Sequence, residues 1–138
     1  MKKLSVLLAA VLLSSCASMR YGNFTQMSQG KDAYLAADAA TQLTRVYPPA
    51  QNTFCIGQRV TDGFGLSLIQ NLRKKGYGIN ENQCPGNKAN FFYVLDELKP
   101  QSYRVSLFVG IQTLSRVYAK RHENIIPAST WTHKEQEL

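Results

Sequence analysis

Three cysteines are the side chains of this 138-residue chain whose type and setting most suggest chemistry. The first, Cys16, follows Lys2, Lys3 and an almost uninterrupted apolar run over residues 4–13. Such a run is too short for a transmembrane helix, which needs about 20 residues, but it suits the apolar region of a secretory signal. The sequence therefore predicts that the chain is exported and processed near Cys16.

The residues that end at Cys16, Leu-Ser-Ser-Cys at positions 13–16, resemble the lipobox of bacterial lipoproteins. The resemblance implies a diacylglycerol on the Cys16 thiol, cleavage before Cys16 and acylation of the new amine, and three acyl chains give a stable anchor. Ala17 stands where an aspartate would retain a lipoprotein at the inner membrane, so the resemblance implies a periplasm-facing place at the outer membrane. A plain secretory signal cut near Ala17, or a short retained helix, remains an alternative.

Cys55 and Cys84 would be the two further cysteines of the processed chain. In an oxidising periplasm an even pair of cysteines predicts a disulfide. The bond would close a loop of about 30 residues, which the chain-entropy model values at about 3.5 kcal/mol. The alternative is two unrelated buried thiols.

The other polar side chains form no recognisable catalytic or metal-binding pattern. His122 and His133 lack His or Cys partners at the spacing of zinc sites. Neither Gly-x-Gly motif has the third glycine of a dinucleotide-binding loop. Asp96 and Glu97 are adjacent on a predicted strand and point to opposite faces, unlike the two carboxyls of a glycosidase. We therefore expect no enzyme, no metal and no cofactor other than a covalent lipid on Cys16.

The composition is that of an ordinary globular protein, with 44% hydrophobic and 18% charged residues. The formal net charge of +7 falls by two, to +5, when Lys2 and Lys3 are removed. The basic residues are scattered apart from Arg73-Lys74-Lys75 and Lys120-Arg121, whereas a nucleic-acid binder usually shows a basic stripe. We expect no direct contact with nucleic acid.

Periodicity and turn residues predict the elements that would position these groups. Residues 32–47 form a helix with Asp32 as its N-cap, and a second helix begins at Thr61 or Asp62 and ends at Lys75. Strands are predicted at 53–58, 77–80, 91–97, 103–109 and 113–120, with an edge strand around 129–133. This order, α-β-α-β-β-β-β, predicts an α+β fold, a two-layer sandwich of two helices packed on a mixed, mainly antiparallel sheet.

These elements divide the chain into four segments. They are a signal peptide at 1–15, a lipidated N-terminus and tether at 16–31, one α+β periplasmic domain at 32–133 and a disordered tail at 134–138. Tyr21 and Phe24 interrupt the polar tether, and Trp131 is the only tryptophan. Each of these three side chains could contact a partner or pack on the domain itself.

Six stretches of the chain follow one another in a recognisable order: YGNF (21–24), LAADAATQLTRVYPPA (35–50), FGLSLIQNLRKKGY (64–77), YVLD (93–96), YRVSLFVGIQTLSRVY (103–118) and PASTWTHKE (127–135). Together with the lipobox they resemble the TrbH family of small lipoproteins, which are encoded with the conjugative mating-pair-formation apparatus, a type IV secretion system. The resemblance implies an outer-membrane lipoprotein that is a structural or assembly component of this apparatus for plasmid DNA transfer, with other channel subunits as its partners. The alternative is a periplasmic lipoprotein that binds a lipid or cell-wall ligand between its sheet and its helices.

Overall fold

Two helices and eight strands form within residues 20–137, the part of the chain that the computed structural model describes. In chain order they are β1 (Gly22–Asn23), α1 (Gln29–Val46), β2 (Thr53–Cys55), α2 (Gly63–Lys74), β3 (Gly78–Asn80), β4 (Phe91–Lys99), β5 (Ser102–Val109), β6 (Gln112–Arg121), β7 (Asn124–Pro127) and β8 (Thr132–Glu135). Short 3-10 turns at Pro49–Gln51 and Pro85–Asn87 interrupt the loops.

The main sheet is built on the antiparallel meander β4–β5–β6. On one side, β1 pairs with β4 in parallel; on the other, β7 and β8 pair with opposite halves of the same edge of β6. The strands β2 and β3 form a separate parallel pair, which an isolated bridge between Ile56 and Phe91 joins to β4. The predicted α+β fold, with its mixed and mainly antiparallel sheet, is confirmed, although the two short central strands pair with each other in a sheet of their own.

The core lies between the helices and one face of the sheet. Successive side chains of a strand point to opposite faces, so the row Tyr93, Leu107 and Leu114 shares this inner face. Leu43 of α1 and Leu68 of α2 pack against that face, and all five of these side chains are fully buried. Burial of each large apolar side chain contributes about 1.5–3 kcal/mol, which makes this layer the main source of stability.

In the described part of the chain, the opposite side of the meander carries no helix, and we name it the outer sheet face. Its side chains are half-buried except for Ser106, which is buried. The face comprises Phe92, Val94 and Asp96 of β4, Arg104, Ser106 and Phe108 of β5, and Thr113, Ser115 and Val117 of β6.

Helix α2 begins and ends where its sequence predicts. The Asp62 Oδ1 atom accepts a hydrogen bond of 2.9 Å from the backbone N–H of Gly65, so Asp62, and not Thr61, is the N-cap. Arg73 and Lys74 stand in the last turn, where cations stabilise the negative end of a helix. Gly76 has a φ of 96°, a left-handed conformation that favours glycine. The basic run of the chain therefore has a local structural role.

Helix α1 begins earlier than its sequence predicts. It starts at Gln29, and the backbone N–H groups of Lys31 and Asp32 donate to the carbonyl oxygen of Ser28. The prediction that Asp32 is the N-cap is therefore wrong: Asp32 lies within the first turn and is 5% exposed. Leu35 and Leu43, which lie on one side of α1, face the core. Ala36, Ala39 and Ala40 are also fully buried, which lets α1 approach its neighbours closely.

Ordered elements extend past both predicted ends of the domain. Strand β1 and the first turn of α1 lie within the segment 16–31, which the sequence predicts to be a tether. Strand β8 includes Lys134 and Glu135, which the sequence places in a disordered tail. Both strands are held by backbone pairing to the meander, which a pattern of side chains does not reveal.

Candidate functional site

The predicted lipidation site, Cys16, lies outside the described residues, but the position at which the chain joins the domain is defined. The ring of Tyr21 stacks on Phe92 with centroids 4.2 Å apart and meets the edge of Phe108 at 5.4 Å. Immediately after it, Gly22 pairs with Val94, and the backbone N–H of Phe24 donates to the Leu95 carbonyl oxygen at 2.8 Å. Tyr21 therefore fastens the start of the described chain to the outer sheet face.

Polar groups occupy the middle of the outer sheet face. The Ser106 and Ser115 hydroxyl oxygens lie 3.5 Å apart on adjacent strands. Further along, Arg104 donates two hydrogen bonds to the Asp96 carboxylate, at 3.1 and 2.7 Å. A bidentate cross-strand pair of this kind fixes both side chains flat on the sheet. The face thus has an aromatic end near Tyr21 and a mixed part beyond it, in which polar side chains lie beside Val94 and Val117.

The three predicted contact residues do not form one site. Tyr21 precedes β1 at one edge of the main sheet, whereas Trp131 precedes β8 at the other. Trp131 packs partly buried against the core, with the Arg116 guanidinium 6.0 Å from its ring centre. Phe24 is 54% exposed, so it is the member of the predicted set that presents most of its surface to solvent.

Cys55 and Cys84 are brought together as a disulfide in the structure, with their Cα atoms 5.5 Å apart. This separation lies within the usual range for bridged cysteines. Cys55 ends β2, and Cys84 precedes the turn at Pro85–Asn87, so the bond fastens the polar loop that leads into β4. Oxidation of the pair in the purified protein stays a prediction that a thiol count can test.

Two carboxylates meet at the start of the helices, a cluster that the sequence does not predict. Tyr93 donates its hydroxyl hydrogen to Asp62 Oδ2, while Asp32 lies beside Gly63 with its Oδ1 buried and unpartnered. Burial, followed by the negative charge of Asp62, raises the pKa of Asp32, and a hydrogen bond to Asn23 opposes this rise. Burial also raises the pKa of the Tyr93 hydroxyl, as does Asp62. The proton of Asp32 is therefore held more tightly than that of an ordinary aspartic acid side chain.

A second polar cluster ties α1 to β6. The Asp38 Oδ2 atom accepts hydrogen bonds from the fully buried Tyr118 hydroxyl and, at 2.9 Å, from Arg116 Nη1. Burial and the charge of Asp38 raise the pKa of Tyr118, so its hydroxyl stays a donor. The guanidinium of Arg116 also donates to the Ser129 carbonyl oxygen at 2.9 Å, which extends the contact to the segment before β8. This cluster joins α1, β6 and the segment before β8.

The described residues contain no group of three or more His, Cys, Asp or Glu side chains that could hold a metal ion. Between Arg20 and Glu137, neither helix has the length and apolar character needed to cross a membrane. Asp96, one of the two adjacent acids of β4, is paired with Arg104, and its neighbour Glu97 is exposed.

Comparison with known proteins identifies the family of the chain. The family described as conjugal transfer protein TrbH matches residues 18–135, which include every helix and strand named above. No curated protein and no solved structure matches the chain at a significant level. The match begins two residues after Cys16 and covers most of the sequence. The chain therefore belongs to the TrbH family of conjugal transfer proteins.

Proposed function

We propose that this chain is an outer-membrane lipoprotein, anchored through Cys16 and facing the periplasm. We further propose that it is a structural or assembly component of the mating-pair-formation apparatus, the type IV secretion system for plasmid DNA transfer. The observation that carries the proposal is the family match over residues 18–135 directly after a lipobox-like sequence that ends at Cys16. Family membership makes the chain a component of conjugal transfer, and the signal supplies the anchor.

Three aspartates of the domain support a role in assembly because their hydrogen bonds serve the fold. Asp62 caps α2, Asp38 joins α1 to β6, and Asp96 is held by Arg104. Catalytic acids and bases are instead recognised by convergence on an open cleft. We therefore propose that the activity of the domain is binding to other subunits of the secretion channel.

The packing between the two layers favours this role over the binding of a lipid or wall fragment. A ligand site there would need an apolar cavity, which proteins usually line with aromatic and aliphatic side chains. Phe64, Tyr93 and Leu107 fill that space and are fully buried. A groove of about 490 Å³ beside Cys84 lies at the surface, outside the space between the layers.

The proposal of partners other than DNA rests on the scatter of the basic residues along the sequence, whereas a nucleic-acid binder usually shows a basic stripe. Three of the fourteen Lys and Arg side chains between residues 20 and 137 are also engaged in ion pairs within the domain. Arg73 pairs with Glu81 at 2.8 Å, Arg104 with Asp96 at 2.7 Å and Arg116 with Asp38 at 2.9 Å. Phosphate contacts need basic side chains that are free to neutralise the backbone charge of DNA. Each of these three guanidinium groups has a carboxylate partner instead.

Membrane fractionation combined with affinity purification tests the anchor and the partners together. The wild-type chain and Cys16→Ser, each with a C-terminal tag and produced in plasmid-bearing cells, are compared. We expect wild type in the outer-membrane fraction with its mass raised by acyl chains, and co-purification of channel subunits. The Cys16→Ser chain should lack the acyl mass and leave that fraction. An unmodified wild-type chain, or one that purifies without channel subunits, would contradict the proposal.

A further inference from the structure

A groove of about 630 Å³ lies at one end of the main sheet, where the turn from β4 to β5 meets the turn from β6 to β7. A backbone hydrogen bond of 2.9 Å, from the N–H of Lys120 to the carbonyl oxygen of Gln101, holds the two turns together. The small side chains of Ser102 and Ala119, which pair on adjacent strands, line the groove. Its position is therefore fixed by the sheet, and its volume lies within the usual range for small-ligand sites, about 300–1,000 Å³.

Basic side chains surround this groove. Lys99, Lys120, Arg121 and His122 line it, and among the residues that the structure describes no aspartate or glutamate does. The ion pairs formed between residues 20 and 137 all involve other cations. The positive charge at this end of the sheet is therefore available to an anionic ligand.

The carboxylates that stand near the groove in the sequence are engaged elsewhere. The Glu97 Oε1 atom accepts a hydrogen bond of 3.2 Å from the backbone N–H of Gln101. Glu123 lines a different groove, between α1 and β7. Asp96 accepts both of the hydrogen bonds that Arg104 donates to it. An anion in the basic groove would thus meet cations without a carboxylate among them.

The strand register brings two of these cations to the same side of the sheet. Lys99 pairs with Ser102, and Ser102 pairs with Ala119, so the three residues share one face. Arg121 stands two residues after Ala119 and lies on that face as well, because a strand has a period of two residues. From the spacing of strands, the Cα atoms of Lys99 and Arg121 are roughly 12 Å apart across β5. Their long side chains can therefore converge on one ligand beside the Ser102 hydroxyl.

We propose that this groove binds a phosphate group, either free or carried by a small ester or a lipid headgroup. The Arg121 guanidinium can donate two parallel hydrogen bonds to phosphate oxygens, and the Lys99 ammonium supplies a second positive charge. The Ser102 hydroxyl is a further donor, and His122 has an N–H donor in either protonation state. A nucleic-acid site instead follows successive phosphates with a basic stripe. The proposal does not depend on acylation of Cys16.

A nonspecific attraction of phosphate to the net positive charge would give a different dependence on single residues. The largest basic run, Arg73-Lys74-Lys75, lies at the end of α2, away from the groove. Lys75 is exposed, so Lys75→Gln removes one positive charge there and is the matched control for Lys99→Gln and Arg121→Gln. A site in the groove loses affinity in the two groove variants and keeps it in the control.

Titration of the full chain with inorganic phosphate tests the site. Wild type and the three variants are labelled with ¹⁵N, held in micelles of a non-ionic detergent in phosphate-free buffer, and followed by the NMR signals of their amides. We expect the signals of residues 99–102 and 119–122 to shift together and to saturate in wild type. Affinity should fall several-fold in Arg121→Gln and in Lys99→Gln, and should be unchanged in Lys75→Gln. Unshifted signals elsewhere show that each variant is folded.

A lipid added to the same micelles distinguishes the two sources of the phosphate group. Phosphatidic acid is compared with diacylglycerol, which lacks the phosphate. Shifts of the groove amides with phosphatidic acid, at lower concentration than with inorganic phosphate, would assign a lipid headgroup. Shifts with inorganic phosphate alone would assign free phosphate or a soluble ester. Groove amides that respond to neither probe, or an affinity that is equal in all four proteins, would overturn the proposal.

Discussion

The ring of Tyr21 lies on the ring of Phe92, with centroids 4.2 Å apart and planes inclined by 26°. The same ring meets the edge of Phe108 on the next strand. This contact gives the start of the described chain a fixed position on the sheet, so that a tether is joined to the domain at a defined point.

Replacement of Tyr21 by alanine should weaken the attachment of β1 to the main sheet. The change removes two aromatic contacts and a half-buried ring, so we expect the free energy of unfolding to fall by about 2 kcal/mol. Exchange of the Phe24 amide hydrogen, which is bonded to the Leu95 carbonyl oxygen, should accelerate because β1 detaches. Urea denaturation and hydrogen exchange measure the two effects. Tyr21→Phe keeps the ring and should change neither; unchanged exchange in Tyr21→Ala would refute the role of the stack.

Local patterns in the sequence predict the structural elements that depend on interactions between residues close together in the chain. Alternation in β5 identifies Val105 and Leu107 as inward-facing because a strand has a period of two residues, and both are buried. Asp62 is identifiable as a cap because the bond that it makes is to a residue three positions along the chain. Strand β1 escapes prediction because two residues carry no period, and its pairing partner β4 is far along the chain. Asp32 has the residue type of a cap, but the carbonyl of Ser28 accepts the first helical bonds.

The candidate sites depend on contacts between segments that are distant in the sequence, and local patterns do not predict such contacts. The sequence leaves open whether Tyr21 packs on the domain, because Phe92 and Phe108 come together only when the β4–β5 hairpin forms. It gives no sign that Asp32 and Asp62 are close, since each stands near the start of a different helix. Clusters assembled from distant segments depend on tertiary packing, which periodicity does not encode.

Asp32 should make stability depend on pH in an unusual direction. Its pKa in the folded state is raised above the ordinary value of 3.8, so the folded chain holds this proton more tightly than the unfolded chain. Its contribution is therefore fully present below the unfolded pKa and is lost as pH rises through the raised pKa. Asp32→Asn should raise the free energy of unfolding at pH 7 and change it little at acidic pH.

Urea denaturation of wild type and Asp32→Asn, at acidic pH and at pH 7, measures the change in the free energy of unfolding. Glu123→Gln, at an exposed carboxylate, is the matched control and should leave the difference between acidic and neutral pH as in wild type. If Asp32→Asn lowers the free energy of unfolding equally at acidic pH and at pH 7, the carboxylate of Asp32 does not have a raised pKa in the folded chain.

Removal of the Asp38 carboxylate should release α1 from β6. Asp38→Ala leaves the buried Tyr118 hydroxyl without an acceptor and Arg116 without its ion-pair partner, and an unsatisfied buried donor costs about 1–3 kcal/mol. Asp38→Asn keeps an acceptor oxygen and should cost less. Thermal denaturation of both variants distinguishes these cases, and equal losses in the two would argue against the hydrogen bond from Tyr118.

The Cys55–Cys84 pair should be oxidised in protein purified without reductant. Free-thiol titration under non-reducing, denaturing conditions should then detect neither thiol. Replacement of both cysteines by serine should lower the free energy of unfolding by about 3.5 kcal/mol, the value expected for a loop of about 30 residues. Two reactive thiols in the denatured, unreduced protein would show that the pair is reduced.

Plasmid transfer from donor cells directly tests the proposed role of the chain in the conjugative apparatus. Donors that carry a clean deletion of this gene are supplied with the wild-type chain or with Cys16→Ser at equal levels, and transfer to recipients is counted. We expect that the deletion abolishes transfer, that wild type restores it and that Cys16→Ser restores little or none of it. Transfer at the wild-type frequency in the deletion donor would contradict a role in the conjugative apparatus, and full restoration by Cys16→Ser would contradict the lipid anchor.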